Sequence, residues 1–205
     1  MIHRLCLVLY LFIASTACAQ VSQTDKVMGG TYALDKTHAS ITWKVMHLGL
    51  SNYTARFTDF DATLRVNGDD ITQSQLEVTV NPLSVETDYP NPEQEDFNKK
   101  LALGKEWFNA GKYPTISFVS TSIEKTSNTT ATLHGDLTFL GVTKPLSLNV
   151  TYNGYYQSKP FTDKPALGFS AAGTLKRSDW GMNTNMPFIG DEVALLIEAE
   201  FNFVK

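Results

Sequence analysis

Thr130–Gly154, TATLHGDLTFLGVTKPLSLNVTYNG, decides the fold class of this chain. In its first half Ala131, Leu133, Gly135, Leu137 and Phe139 put apolar or small side chains on one parity, while Thr130, Thr132, His134, Asp136 and Thr138 put polar ones on the other. Successive strand side chains point to opposite faces, so this alternation predicts a half-buried β-strand. After Leu140-Gly141-Val142 and Thr143-Lys144-Pro145 the pattern resumes, with Leu146, Leu148, Val150 and Tyr152 set against Ser147, Asn149, Thr151 and Asn153. A connection this short joins antiparallel neighbours. One dry face and one wet face suit a sandwich or a barrel.

Working outward, the same signal recurs on both sides. Downstream, Leu167, Phe169, Ala171, Gly173 and Leu175 share a parity, and so do Val193, Leu195, Ile197, Ala199, Phe201 and Phe203, with Glu192, Glu198 and Glu200 on the outer face. Upstream lie strands at Thr115–Ile123, at Leu76, Val78 and Val80 stopped by Pro82, and at Ile41, Trp43, Val45 and His47. Between Arg56 and Val66, Phe57 and Phe60 differ in parity, which predicts a bulge or bend before Ala62, Leu64 and Val66. Asn67-Gly68-Asp69-Asp70 reads as a hairpin turn. From Tyr89 to Tyr113 the alternation vanishes. Pro92-Glu93-Gln94-Glu95 predicts a helix opening there, with Phe97 and Leu101 on one face, a break at Gly104, and Trp107-Phe108 in a second short turn over the sheet or one mouth.

About eight antiparallel strands with hairpin connections predict an all-β domain, and an eight-stranded barrel has an interior that side chains just fill or that holds one small ligand. The inward parity favours the cavity, because Ala131, Gly135, Ala171, Gly173 and Ala199 are small where a filled core wants Leu or Phe. On this reading Gly135 and Gly173 leave room for a ligand; the alternative is that they relieve bends at barrel corners.

The N-terminus reads as a secretory signal: His3 and Arg4, an apolar run from Leu5 to Ala14, then Ala17-Cys18-Ala19. The run is well short of the roughly 18 residues that span a bilayer. Cleavage after Ala19 makes residues 1–19 the signal peptide, 20–30 a loose leader and 31–205 the barrel domain, in a periplasmic or secreted protein; lipid attachment at Cys18 is the alternative. Cleavage also removes both cysteines, Cys6 and Cys18, so stability must come from a core rather than disulfides. The net charge of −4, with no Lys/Arg-rich run, argues against nucleic acid as a partner.

Catalytic constellations do not assemble. His134 falls on the outward parity, His38 and His47 are of opposite parity, and neither metal-ligand spacing nor a nucleophile elbow occurs. The expectation is a binding protein with no catalytic residues, no metal and no cofactor beyond a bound ligand.

Several segments together resemble the YceI family of secreted, polyisoprenoid-binding barrels with a lipocalin-like fold. They are Asp35-Lys36-Thr37-His38-Ala39-Ser40 running to His47-Leu48-Gly49, Trp107-Phe108-Asn109-Ala110-Gly111-Lys112-Tyr113-Pro114, Gly135-Asp136-Leu137-Thr138 with Gly141-Val142-Thr143-Lys144, Lys176-Arg177-Ser178-Asp179-Trp180-Gly181, and Ile189-Gly190-Asp191-Glu192-Val193. Ala55 stands where the family usually has Gly, and Asn98-Lys99-Lys100-Leu101 departs from its usual helical insert. The resemblance implies a lipocalin-like barrel that takes an isoprenoid quinone, a polyprenyl phosphate or a comparable long-chain lipid, with transient contact to a membrane or membrane protein for cargo exchange. Trp43, Val45, Phe57, Phe118, Phe139 and Phe169 are then candidates for the tunnel, beside Gly135 and Gly173. His47, Arg177 and Asp179 are candidates for its polar end, Arg177 and Asp179 equally for an ion pair that fixes the turn. Other readings are an interaction or stress-response protein with a fatty-acid-like ligand, and an enzyme acting on an isoprenoid lipid with His47 as base.

Overall fold

A computed structural model describes residues 26–205 of the chain. The expected signal peptide and the first part of the expected leader lie outside these residues. The strands are β1 Gly30–His47, β2 Ser51–Phe57, β3 Phe60–Val66, β4 Gln75–Val80, β5 Val85–Glu86, β6 Ile116–Lys125, β7 Thr130–Phe139, β8 Val142–Tyr156, β9 Ala166–Lys176 and β10 Ile189–Phe203, with one α-helix, α1, at Phe97–Leu103. Each pairs antiparallel with its neighbour in the order β10-β9-β8-β7-β6-β4-β3-β1-β2-β5, and β10 pairs with β1 to close the sheet on itself.

Ten strands make eight staves. β1 is long enough to pair with β3 through Gly30–Ala33 and with β2 through Ile41–His47, so β2 and β3 are two halves of one stave. β5 continues β4 in the same way, pairing with β2 as β4 pairs with β3. The bulge expected between Phe57 and Phe60 is thus a complete break. Thr58 N–H donates to the Ser84 carbonyl at 3.1 Å and Asn81 N–H to the Asp59 carbonyl at 3.0 Å, which satisfies backbone groups that the ladder has released. β1 also swells at Asp35–His38: Leu34 faces Phe201, while Ala39 faces Ala199.

Two further expectations need correction. The leader is not loose as far as Gly30, because residues 26–30 are seated on the loop after β3. A Cβ on Gly68 would lie 2.8 Å from Gly29 N and 2.9 Å from the Val27 carbonyl, so only glycine permits this approach. The Tyr32 hydroxyl donates to the Met28 carbonyl at 2.7 Å, and Lys26 pairs with Asp69 at 2.8 Å. The helix also opens later than Pro92. Asn91 closes a separate turn, its carbonyl accepting from Gln94 and Glu95 N–H, and Asp96 caps α1 by accepting from Lys99 N–H at 2.9 Å. Gly104 ends it as expected.

Apolar side chains line the staves in three clusters. One surrounds Trp43, Phe57 and Leu101, one Phe118, Leu137 and Trp180, and one Tyr32, Leu64 and Phe201 at the opposite end. They pack the walls and leave the bore open.

Candidate ligand-binding cavity

Two cavities of about 500 and 700 Å³ occupy the bore. Both are lined by Ile41, Val78, Phe118, Leu148 and Ile197, which come from β1, β4, β6, β8 and β10. The interior is therefore two chambers meeting at a waist of five side chains.

The larger chamber lies under the helical insert. Phe97 sits edge-on to Tyr53 with ring centroids 6.1 Å apart, and Leu101 is buried, so α1 turns the apolar face that the sequence predicted toward the barrel. The chain then folds back on the helix: Phe108 N–H donates to the Leu101 carbonyl at 3.1 Å and Ala110 N–H to the Ala102 carbonyl at 2.8 Å. This return places the Phe108 ring 5.3 Å from Phe57, 6.2 Å from Trp43 and 6.0 Å from Phe139, centroid to centroid. Trp43 Nε1 and the Tyr53 hydroxyl are buried in this chamber's wall with no hydrogen-bond partner among the described residues.

Arg177 sits at the far wall of the same chamber, 3% exposed. Its Nε donates to the Gly190 carbonyl at 2.8 Å, Nη1 to Met182 at 3.1 Å, and Nη2 to Thr184 and Ile189, each at 2.9 Å. One guanidinium thus gathers four carbonyls, two in the loop between β9 and β10 and two on the first residues of β10. Burial pushes its pKa down, and the nearby Asp191 carboxylate opposes that. Burial would raise Asp191, but hydrogen bonds from the Ser178 N–H and hydroxyl outweigh it and hold this carboxyl below its ordinary range.

The smaller chamber opens between the polar turns at 67–74 and 126–130. On the adjoining wall, the swelling of β1 turns Asp35 toward Lys159, Asn202 and His38, with Lys159 Nζ 3.0 Å from Asp35 Oδ2 and Nδ2 of Asn202 at 3.2 Å. The two side chains are 12% and 15% exposed. Burial pushes the Asp35 carboxyl up, but hydrogen bonds from Thr37, Lys159, His38 and Asn202 prevail and hold it well below the usual carboxylate range. Asp35, His38 and Glu200 have the spacing of a cation site, and the Lys159 ammonium, bonded to both carboxylates, supplies the positive charge there.

Of the residues predicted from sequence, Trp43, Val45, His47, Phe57, Phe118 and Phe139 line the larger chamber, and Phe118 and Phe169 the smaller, with Ala131, Ala171 and Ala199 beside them. Gly135 and Gly173 line neither. The space each vacates is filled, Gly135 by the Phe118 ring and Gly173 by a Leu148 methyl, so the expectation of ligand against these glycines is corrected. Asp179 is corrected too. It faces Lys144 at 3.9 Å, off the cavity, and makes no ion pair with Arg177, whose N–H groups are engaged by carbonyls. Ile197, on the inward parity of β10, and Phe108, expected over the sheet or one mouth, are both in the wall; Tyr53, which shares the parity of Phe57 in β2, is a wall residue that the sequence reading did not name.

The chain matches the model of the YceI-like domain over residues 32–201. It is 32% identical to protein YceI of Salmonella arizonae over 187 residues, covering 90% of this chain and 93% of the relative. The crystal structure of a Campylobacter jejuni YceI protein superposes with a TM-score of 0.68 at 30% identity, covering 78% of this chain and 90% of that one. A polyisoprenoid binding domain from Saccharophagus degradans shares the fold at a TM-score of 0.56 and 12% identity, covering 84% of this chain and 98% of that one. With its closed eight-stave barrel and the sequence match across nearly all of it, this chain belongs to the YceI-like family.

Proposed function

We propose that this protein is a periplasmic or secreted carrier or store for a long isoprenoid lipid, released from its signal peptide after Ala19. The observation that carries the reading is the bore itself: two apolar chambers in series, in a fold shared with a polyisoprenoid binding domain. A tail of about forty carbons gains nominally some 30 kcal/mol over water at about 0.8 kcal/mol per methylene. Non-covalent affinities stop near 18 to 21 kcal/mol. The effective competitor is a bilayer, against which the apolar gain nearly cancels. Shape and a few polar groups then do the selecting, and carriage suits the protein better than tight sensing.

Features of the larger chamber favour a neutral, quinone-type head over a phosphate. Four donor contacts of Arg177 are already made to carbonyls, and Lys100 pairs with Glu95 at 2.6 Å. An unpaired buried donor costs roughly 1 to 3 kcal/mol, which an acceptor oxygen near Trp43 or Tyr53 would relieve. His47 stands at the mouth. Beside it Leu48, Leu50 and Phe188 are 52%, 84% and 66% exposed, an apolar rim suited to a bilayer during exchange. The reading is one of binding, not catalysis. The test is solvent extraction of protein purified from its native host, followed by mass spectrometry. A stoichiometric prenyl quinone is the expected result, and a folded barrel that yields no lipid overturns the reading.

A further inference from the structure

Two of the five waist side chains lie back against a glycine on the next strand. Phe118 of β6 lays its ring across Gly135 of β7: a Cβ there would meet Phe118 Cζ first, with Phe118 Cε2 and the Val119 carbonyl both at 2.6 Å. Leu148 of β8 rests on Gly173 of β9, where a Cβ would lie 2.6 Å from Leu148 Cδ2 and 3.0 Å from the Ser147 carbonyl. Carbon atoms in contact prefer about 3.5 to 4.0 Å, so neither neighbour could stay where it is. The backbone makes no such demand. Neither glycine has the positive φ of Gly141, Gly154 or Gly181, so what each position requires is the missing side chain rather than a special conformation.

We propose that the Phe118–Gly135 and Leu148–Gly173 pairs set the length of tail that the barrel accepts. The glycines let both side chains recede into the wall, and the two chambers then take one continuous tail. A side chain at either glycine lifts its partner into the bore and divides the interior. The tail is confined to one chamber. Ile41, Val78 and Ile197 complete the ring from the other staves and fix the gap that the receding pair leaves. This rests on the lipid-carrier reading above and adds to it a determinant of chain length.

The experiment measures binding of neutral prenyl alcohols, graded from farnesol to solanesol, by native mass spectrometry of the full mature protein. Wild type takes the whole series. Gly173→Ala keeps farnesol within about twofold and loses the longest alcohols by about tenfold or more, since each methylene turned away weighs roughly fourfold. Gly173→Ala with Leu148→Val restores the long alcohols, because valine has no Cδ2 to be displaced. Relief of overpacking would also give rescue, so the selective loss of long alcohols with farnesol retained is what separates a divided bore from a strained core. Gly135→Ala with Phe118→Leu repeats the test from the other wall; its denaturation midpoint falls as well, because the Val119 carbonyl must move. Equal loss at every length, no change at any length, or failure of Leu148→Val to rescue overturns the proposal while the carrier reading stands. A folded wild type that takes none of the alcohols overturns both.

Discussion

The two ends of the barrel are closed by different means. At the smaller chamber the turns are local: Asn67 Oδ1 accepts from Asp69 and Asp70 N–H at 3.0 Å each, and Ser127 Oγ from Thr129 and Thr130 N–H at 3.2 and 3.0 Å. At the larger chamber the closure is long-range, through Phe108 reaching three staves and Arg177 gathering four carbonyls. Short polar turns carry their own hydrogen bonds and need nothing from the core. The insert needs the core. The end with the aromatic lining and the apolar rim is therefore also the end whose shape depends on distant contacts, which suits the exchange face proposed above.

The comparison breaks most visibly at Arg177. Arg177→Met takes the donor from four carbonyls, one of these bonds buried and three part-buried, and the expected loss of unfolding free energy in chemical denaturation is about 3 to 5 kcal/mol, with Arg177→Lys recovering little because an ammonium lacks the fork. Asn67→Ala at the other end should lose only about 1 kcal/mol. Equal losses would show that the ends are not built differently. Phe108→Ala comes next, at about 2 to 3 kcal/mol, the low side for a phenylalanine because the ring is only half-buried. Prenyl alcohol binding should fall with it, whereas Ile71→Ala at the smaller mouth should leave both within error.

A pH titration sharpens the contrast further. The folded-state pKa of Asp35 is depressed, so its contribution is full above the unfolded value of about 3.9 and is lost as pH falls through the lower folded value. Lys159 is raised by Glu200 and Asp35 against its burial, so its contribution is present below about pH 10.4 and is lost above that as pH rises through the folded value. Asp35→Asn should flatten the acid limb of stability measured by chemical denaturation between pH 2 and pH 5. An unchanged limb would move the acid response to the other carboxyls held below their ordinary range, Glu86 and Asp191 among them. The smallest effect is none at all: the proposed cleavage after Ala19 removes Cys6 and Cys18, so a reducing agent should not move the melting temperature. A shift would show that the N-terminal segment is retained and bonded.

The barrel was legible because alternation reports one wall at a time, and a wall is a local property. Parity turned Ala131, Phe139 and Phe169 inward, and all three line the cavity. Parity gave Gly135 and Gly173 the right face but not their occupants, since Phe118 and Leu148 reach them from the neighbouring strand, and a contact between strands leaves no mark in either strand's own pattern. Arg177 was noticed and its partners were not: four main-chain carbonyls have no side-chain signature. Asp35 and Lys159 are 124 residues apart and only the closed sheet brings them together.

The closure of β1 on β10 sets a condition on how the molecule is made. Tyr32 pairs with Phe203, so the first strand waits for almost the whole chain before its ladder is complete. Contacts of such separation pay their loop-closure entropy late and make folding slow. Until the last strand is synthesised, β1 and β9 present bare edges that invite pairing with other chains. A nascent or truncated form lacking β10 should therefore be a client for a holdase chaperone, whereas the finished ring, having no free seam between these strands, should need none.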